Sequence, residues 1–235
     1  MGLASPLVYV IAPLLLAAQT VSQTAAPGDA EREEMLRLRE CLELVETDPE
    51  AAHEMAASWT YMEGNRRGAR ECRASALMAL GYLEDGAYEL EALANAPDGG
   101  SMDDRLTYLF RAGGAWLEIG MPDNAVLTFS NIIRLQPEYS EAYNYRGLAY
   151  LQLEEWENAE ADLDTAISGQ PGDFHAYLYR AQARFWQERY DEAMDDIVQA
   201  RTLDPEDAQA LLWRGHIREA RRLIAEGRSV NEMPF

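Results

Sequence analysis

From residue 106 onward the apolar positions fall three and four residues apart, as on one face of a helix, and the pattern restarts at a fixed interval. Aligned blocks cover 106–139, 140–173 and 174–207, with a partial fourth from Ala208. Position 8 holds Gly113, Gly147, Ala181 and Gly215, and position 20 holds Ala125, Ala159 and Ala193. Position 24 is large and apolar, namely Phe129, Leu163 and Ile197. Position 32 is Pro137, Pro171 and Pro205, which ends a helix because proline disfavours helix before it and cannot continue one. Each block therefore predicts two antiparallel helices that touch closely at their small residues. Large residues fill the remaining space at position 4 (Leu109, Tyr143, Tyr177), and position 11 reads Trp116, Tyr150 and Arg184.

The first half is more degenerate. With Arg67 as position 1, Ala74 falls at 8, Gly81 at 15, Gly86 at 20 and Leu90 at 24, so 67–97 reads as a further pair, closed by Asp98-Gly99-Gly100. Met35, Leu38, Leu42 and Val45 share one face of a helix over 30–46. Asp48-Pro49 then opens a second helix with a stripe of Met55, Ala56, Trp59 and Met62, ended by Gly64-Asn65. Eleven helices result. The last, 208–226, has no partner and is expected to cap the array, followed by a short tail, 227–235.

The recurring set of aromatic or Leu, Gly, Tyr, Ala, large apolar and Pro resembles the tetratricopeptide repeat, or TPR. That resemblance implies an all-α, right-handed solenoid of about five hairpins: a divergent pair in 27–66, units at 67–100, 106–139, 140–173 and 174–207, and the capping helix. It also implies a concave face lined by positions 2, 5, 9, 12 and 13 of each first helix. Candidate partner-binding residues there are Phe110, Leu117, Asn144, Leu148, Leu151, Leu178, Gln182, Phe185, Trp186, Leu212 and His216. So apolar a surface marks a partner site, unless the solenoid packs these residues against each other or the tail Val230–Phe235 covers them. Carboxylate-clamp TPRs need Lys and Asn at positions 5 and 9, and here those places hold Phe110, Gly114 and Leu148, which argues against the chaperone tails those domains hold.

Charge narrows the partners. Lys and Arg total 20 against 41 for Asp and Glu, a formal net charge of −21. Such a chain lacks the clustered cations that displace phosphate counterions, which excludes the usual nucleic-acid binding, and its charge argues against docking on an anionic membrane; no stable membrane insertion is expected after signal cleavage. Residues 1–26 carry no charged side chain, and the apolar run Leu7 to Ala18 has the length of a signal-peptide core, although no Lys or Arg precedes it. Export to the periplasm or outside the cell is expected, with cleavage between Ala18 and Ala26. Cys41 and Cys72 are the only cysteines, and an even count in an oxidising compartment suggests one disulfide, the alternative being two buried thiols.

The leader, the cysteine-containing first pair and the repeats together resemble exported TPR proteins of Gram-negative bacteria. That resemblance implies that Cys41 and Cys72 lie on the first helices of neighbouring pairs and clip the least regular pair to the array.

Nothing in the chain spells a catalytic motif or a cofactor site. His53, His175 and His216 lack the third close ligand a metal would need, so no metal or cofactor is expected. Arg146, Arg180 and Arg214 recur at position 7, with Asp162 and Asp196 at position 23. They read as an Arg–Asp pair inside each unit rather than a row gripping a partner's carboxylates. The expected role is a non-enzymatic, exported adaptor that holds an apolar segment or helix of an envelope protein in the groove. The alternative is an assembly chaperone for secretion, pilus or outer-membrane parts.

Overall fold

The computed structural model describes residues 28–233, so the leader-like segment and the end of the tail lie outside the described residues. Eleven helices follow one another: α1 Asp29–Thr47, α2 Pro49–Glu63, α3 Arg67–Ala79, α4 Leu83–Asn95, α5 Met102–Glu118, α6 Pro122–Leu135, α7 Ser140–Gln152, α8 Trp156–Gly169, α9 Phe174–Trp186, α10 Tyr190–Leu203 and α11 Ala208–Ala225. A 3-10 turn, Val230–Glu232, closes the chain, and no strand occurs among the described residues. Each helix packs on its sequence neighbour, and first helices also meet across units (α1 with α3, α5 with α7, α7 with α9, α9 with α11). This is a TPR solenoid. None of the described helices is long and apolar enough to cross a membrane.

Local chemistry sets the helix ends. Asp48 caps α2, its side chain accepting from the Ala51 N–H at 3.0 Å with Pro49 in the first turn. α5 begins four residues before the repeat block, because Ser101 and Asp104 form a reciprocal cap: Asp104 N–H donates to Ser101 Oγ and Ser101 N–H to Asp104 Oδ2. First helices end in one recurrent turn at position 15, where φ is +84° at Gly81, +70° at Gly120, +60° at Glu154 and +62° at Glu188. The next N–H, of Tyr82, Met121, Glu155 or Arg189, reaches back to a carbonyl five residues earlier. Two glutamates thus hold a left-handed conformation that glycine adopts without strain.

The small residues do what close packing requires. A methyl group at Gly113 would come within 2.6 Å of the Phe129 ring, and one at Gly147 within 2.8 Å of Leu163. In these two units the large side chain at position 24 therefore fills the space that glycine at position 8 leaves open. Ala125, Ala159 and Ala193 are fully buried, each in one cluster with Phe129, Leu163 or Ile197 respectively.

Cys41 on α1 and Cys72 on α3 form a disulfide, with Cα atoms 5.9 Å apart and both residues fully buried. It ties first helices of neighbouring pairs across a sequence separation of 31 residues. By the loop-entropy relation such a link contributes about 3–4 kcal/mol. Because solenoid units are stabilised mainly by neighbours, reduction should act locally. In hydrogen exchange after dithiothreitol treatment, α1 and α2 should lose protection while α7 to α10 keep theirs. Unchanged protection in α1 and α2 would contradict the clip.

Candidate functional site

The position-7 arginines are internal. Arg146 donates from Nε and Nη2 to both oxygens of Asp162, at 2.7 and 2.8 Å. Arg180 does the same to Asp196, at 3.0 and 2.6 Å. The remaining fork nitrogen of each reaches the preceding unit: Arg146 donates to Ser130 Oγ at 2.9 Å and Arg180 to Asp164 at 2.7 Å. Tyr143 and Tyr177 lie against the guanidinium groups at 5.6 Å from ring centre. Arg73 and Glu89 form the same pair in the 67–97 unit. The unit 106–139 has Ala112 at position 7, and there Trp116 and Thr128 bind Glu91 of the preceding unit instead. Arg184 joins Asp196 to Glu160, which also accepts from Gln187 and Arg189. Burial alone would raise the Glu160 carboxyl, but these three donors together hold it below the usual range.

The groove is less open than its residue list predicts. Asn144, Leu151, Leu178 and Phe185 are buried and are not displayed to a partner. The reason is visible in register: position 5 and position 12 side chains pack on the next unit. Phe110 meets Tyr145 edge-on at 4.9 Å and Phe185 meets Trp213 at 5.4 Å. Leu178 is 1 % exposed, whereas Leu212, at the same position of the last unit, is 59 % exposed. Val230 and Met233 of the tail belong to the cluster that also holds Leu178 and Phe185, and their turn packs on α11. Phe110, Leu117, Leu148, Gln182 and His216 are half-buried, and Trp186 is 42 % exposed and stacked on Trp156 at 5.6 Å.

Where α7 and α9 stand side by side, a pocket of about 360 Å³ opens between their first turns. Glu141, Asn144, Tyr145, Gln170, Asp173, His175 and Tyr179 line it. Asn144 Nδ2 donates to Asp173 Oδ2 at 2.5 Å, and Asp173 also caps α9 by accepting from the His175 N–H at 2.9 Å. The other amide atom, Asn144 Oδ1, is buried without a partner among the described residues. Burial, helped by Glu141 and Asp173, raises the Tyr145 hydroxyl; burial, with Tyr145, Asp173 and Asp207, raises that of Tyr179. Both stay protonated at neutral pH. The pocket offers uncommitted acceptors in an acidic setting, which suits a donor or a cation. Asn144 was legible as the single polar residue in a position otherwise Phe110, Leu178 and Leu212. Tyr145, Asp173 and Tyr179 were not, since they come from outside the expected groove positions. Among the described residues no group of three or more His, Cys, Asp or Glu is placed to hold a metal ion.

These features define a protein of stacked helical hairpins. Residues 110–174 and 146–201 match the tetratricopeptide repeat family model, so the segment 110–201 carries TPR repeats. The chain is similar to solved TPR structures. One is MamA, residues 41 to end, from Desulfovibrio magneticus RS-1, at 18 % identity and TM-score 0.63, covering 78 % of this chain and 99 % of that one. Another is the first TPR domain of human RPAP3, at 23 % identity and TM-score 0.50, covering 52 % of this chain and 95 % of that domain. Likeness at this level concerns the fold. No curated protein matches the chain.

Proposed function

We propose that the chain is an exported, non-catalytic TPR scaffold that holds a segment of a partner protein along the face formed by α5, α7 and α9. The observation that carries this reading is the buried, unpaired Asn144 Oδ1 in a pocket shared with Asp173 and Glu141. A buried acceptor left without a donor costs roughly 1–3 kcal/mol, and an incoming N–H group would remove that cost. The acidic walls favour Lys or Arg in the partner, and half-buried Leu148 on the same helix provides an apolar neighbour. This reading adds a polar pocket to the mostly apolar groove expected from the sequence. Export is supported by the uncharged residues 1–26 and by a disulfide, a bond that persists in oxidising compartments.

Peptides selected on the purified chain from a random displayed library should share a basic residue next to an apolar one. Asn144→Leu combined with Asp173→Asn, which keeps the α9 cap, should weaken them about tenfold, the worth of one charge-assisted hydrogen bond. The helical circular-dichroism signal should not change. Selected peptides without donors, or affinities indifferent to the double variant, would contradict the site. Amino-terminal sequencing of the protein recovered from cells should begin between residues 19 and 27; an intact Met1 would contradict export.

A further inference from the structure

The chain contains no lysine, so all 20 of its cationic side chains are arginines. Most bind carboxylates or backbone carbonyls. Three that do not among the described residues, Arg201, Arg214 and Arg218, stand together where α10 meets α11. The charge of Arg218 lowers the proton affinity of Arg214, with burial and Arg201 adding to the effect. Arg201 Nε is buried without an acceptor among the described residues.

The register explains why these forks lack acceptors. Arg214 is the position-7 residue of the last unit and Arg218 its position-11 residue, equivalent to Arg180 and Arg184. Those two are satisfied by Asp196 on their own second helix and by Asp164 and Glu160 on the preceding one. For α11 the preceding helix offers Val198 and Met194 at the corresponding places, and no described second helix stands across from it. Gly215 reports the same gap. A methyl group at Gly113 or Gly147 would strike the second helix of its unit, but one at Gly215 meets nothing within 4 Å. Leu211, whose equivalent Leu109 is 1 % exposed, is 45 % exposed. Leu211, Arg214, Gly215 and Arg218 follow i, i+3, i+4, i+7 and form one stripe.

We infer that this stripe of α11 is a docking site for an acidic amphipathic helix of another molecule, seated antiparallel in the place a second helix occupies in the preceding units. Its signature is a carboxylate followed at once by a large apolar residue, as in Asp162-Leu163 and Asp196-Ile197. The carboxylate would take the Arg214 and Arg218 forks. The apolar side chain would enter the notch over Gly215, beside Leu211.

The probe is a capped peptide spanning residues 155–170, which contains α8 with Ala159, Asp162 and Leu163. It should bind the purified chain one to one. Arg214→Glu with Arg218→Glu should weaken it at least about tenfold, as should Gly215→Leu, which fills the notch; each variant should keep the parent's melting temperature, since the changed side chains are not core. Restored binding of an Asp162→Arg peptide to the double-Glu chain would establish the contact. Binding no tighter than a scrambled peptide, or equal binding to all variants, would overturn the inference. Concentration-dependent self-association abolished by the double-Glu change would assign the stripe to a second copy and overturn the foreign-helix assignment.

Discussion

The guanidinium fork at position 7 is the interaction on which the array depends. Its planar geometry fixes two acceptors at once, one on the second helix of its own unit and one on that of the unit before. Arg146 and Arg180 thus act as cross-pieces between stacked hairpins. Their acceptors are deeply placed, the Asp196 side chain being 3 % exposed. A buried ion pair contributes little net stability over an apolar replacement, but losing one partner strands the other charge at a cost of roughly 3–5 kcal/mol. The forks therefore specify which helix lies beside which, while the glycine and alanine contacts supply the close packing.

Much of this architecture could be read from residue spacing. The prolines, the small residues at positions 8 and 20 and the Arg–Asp recurrence each follow from local rules, and the helices fall where those rules put them. The start of α5 was misplaced by the repeat register because a cap at Ser101 and Asp104 extends the helix backwards. Glu154 and Glu188 gave no sign of their left-handed turns, since glycine marks that position only at Gly81 and Gly120.

The groove was the least legible part. Register places Leu178 and Phe185 on the face that first helices present, but exposure depends on what the following unit does with that face. Here the next unit packs on that face, Trp213 meeting Phe185 edge-on. Leu212 stays exposed because it lies on α11, against which no further repeat unit packs among the described residues. Unmet polar groups, rather than apolar ones, then mark the surfaces with work left to do: an amide oxygen on α7 and two guanidinium groups on α11.

The most direct measurement of the fork's role is equilibrium unfolding, with hydrogen exchange, of Arg180→Met combined with Arg184→Met, which keeps long side chains but removes both arginine donors to Asp196. Stability should fall by about 3 kcal/mol, with protection lost together in α8, α9 and α10. A loss below about 0.5 kcal/mol, or one confined to α9, would show that the hairpins hold their register by apolar packing alone.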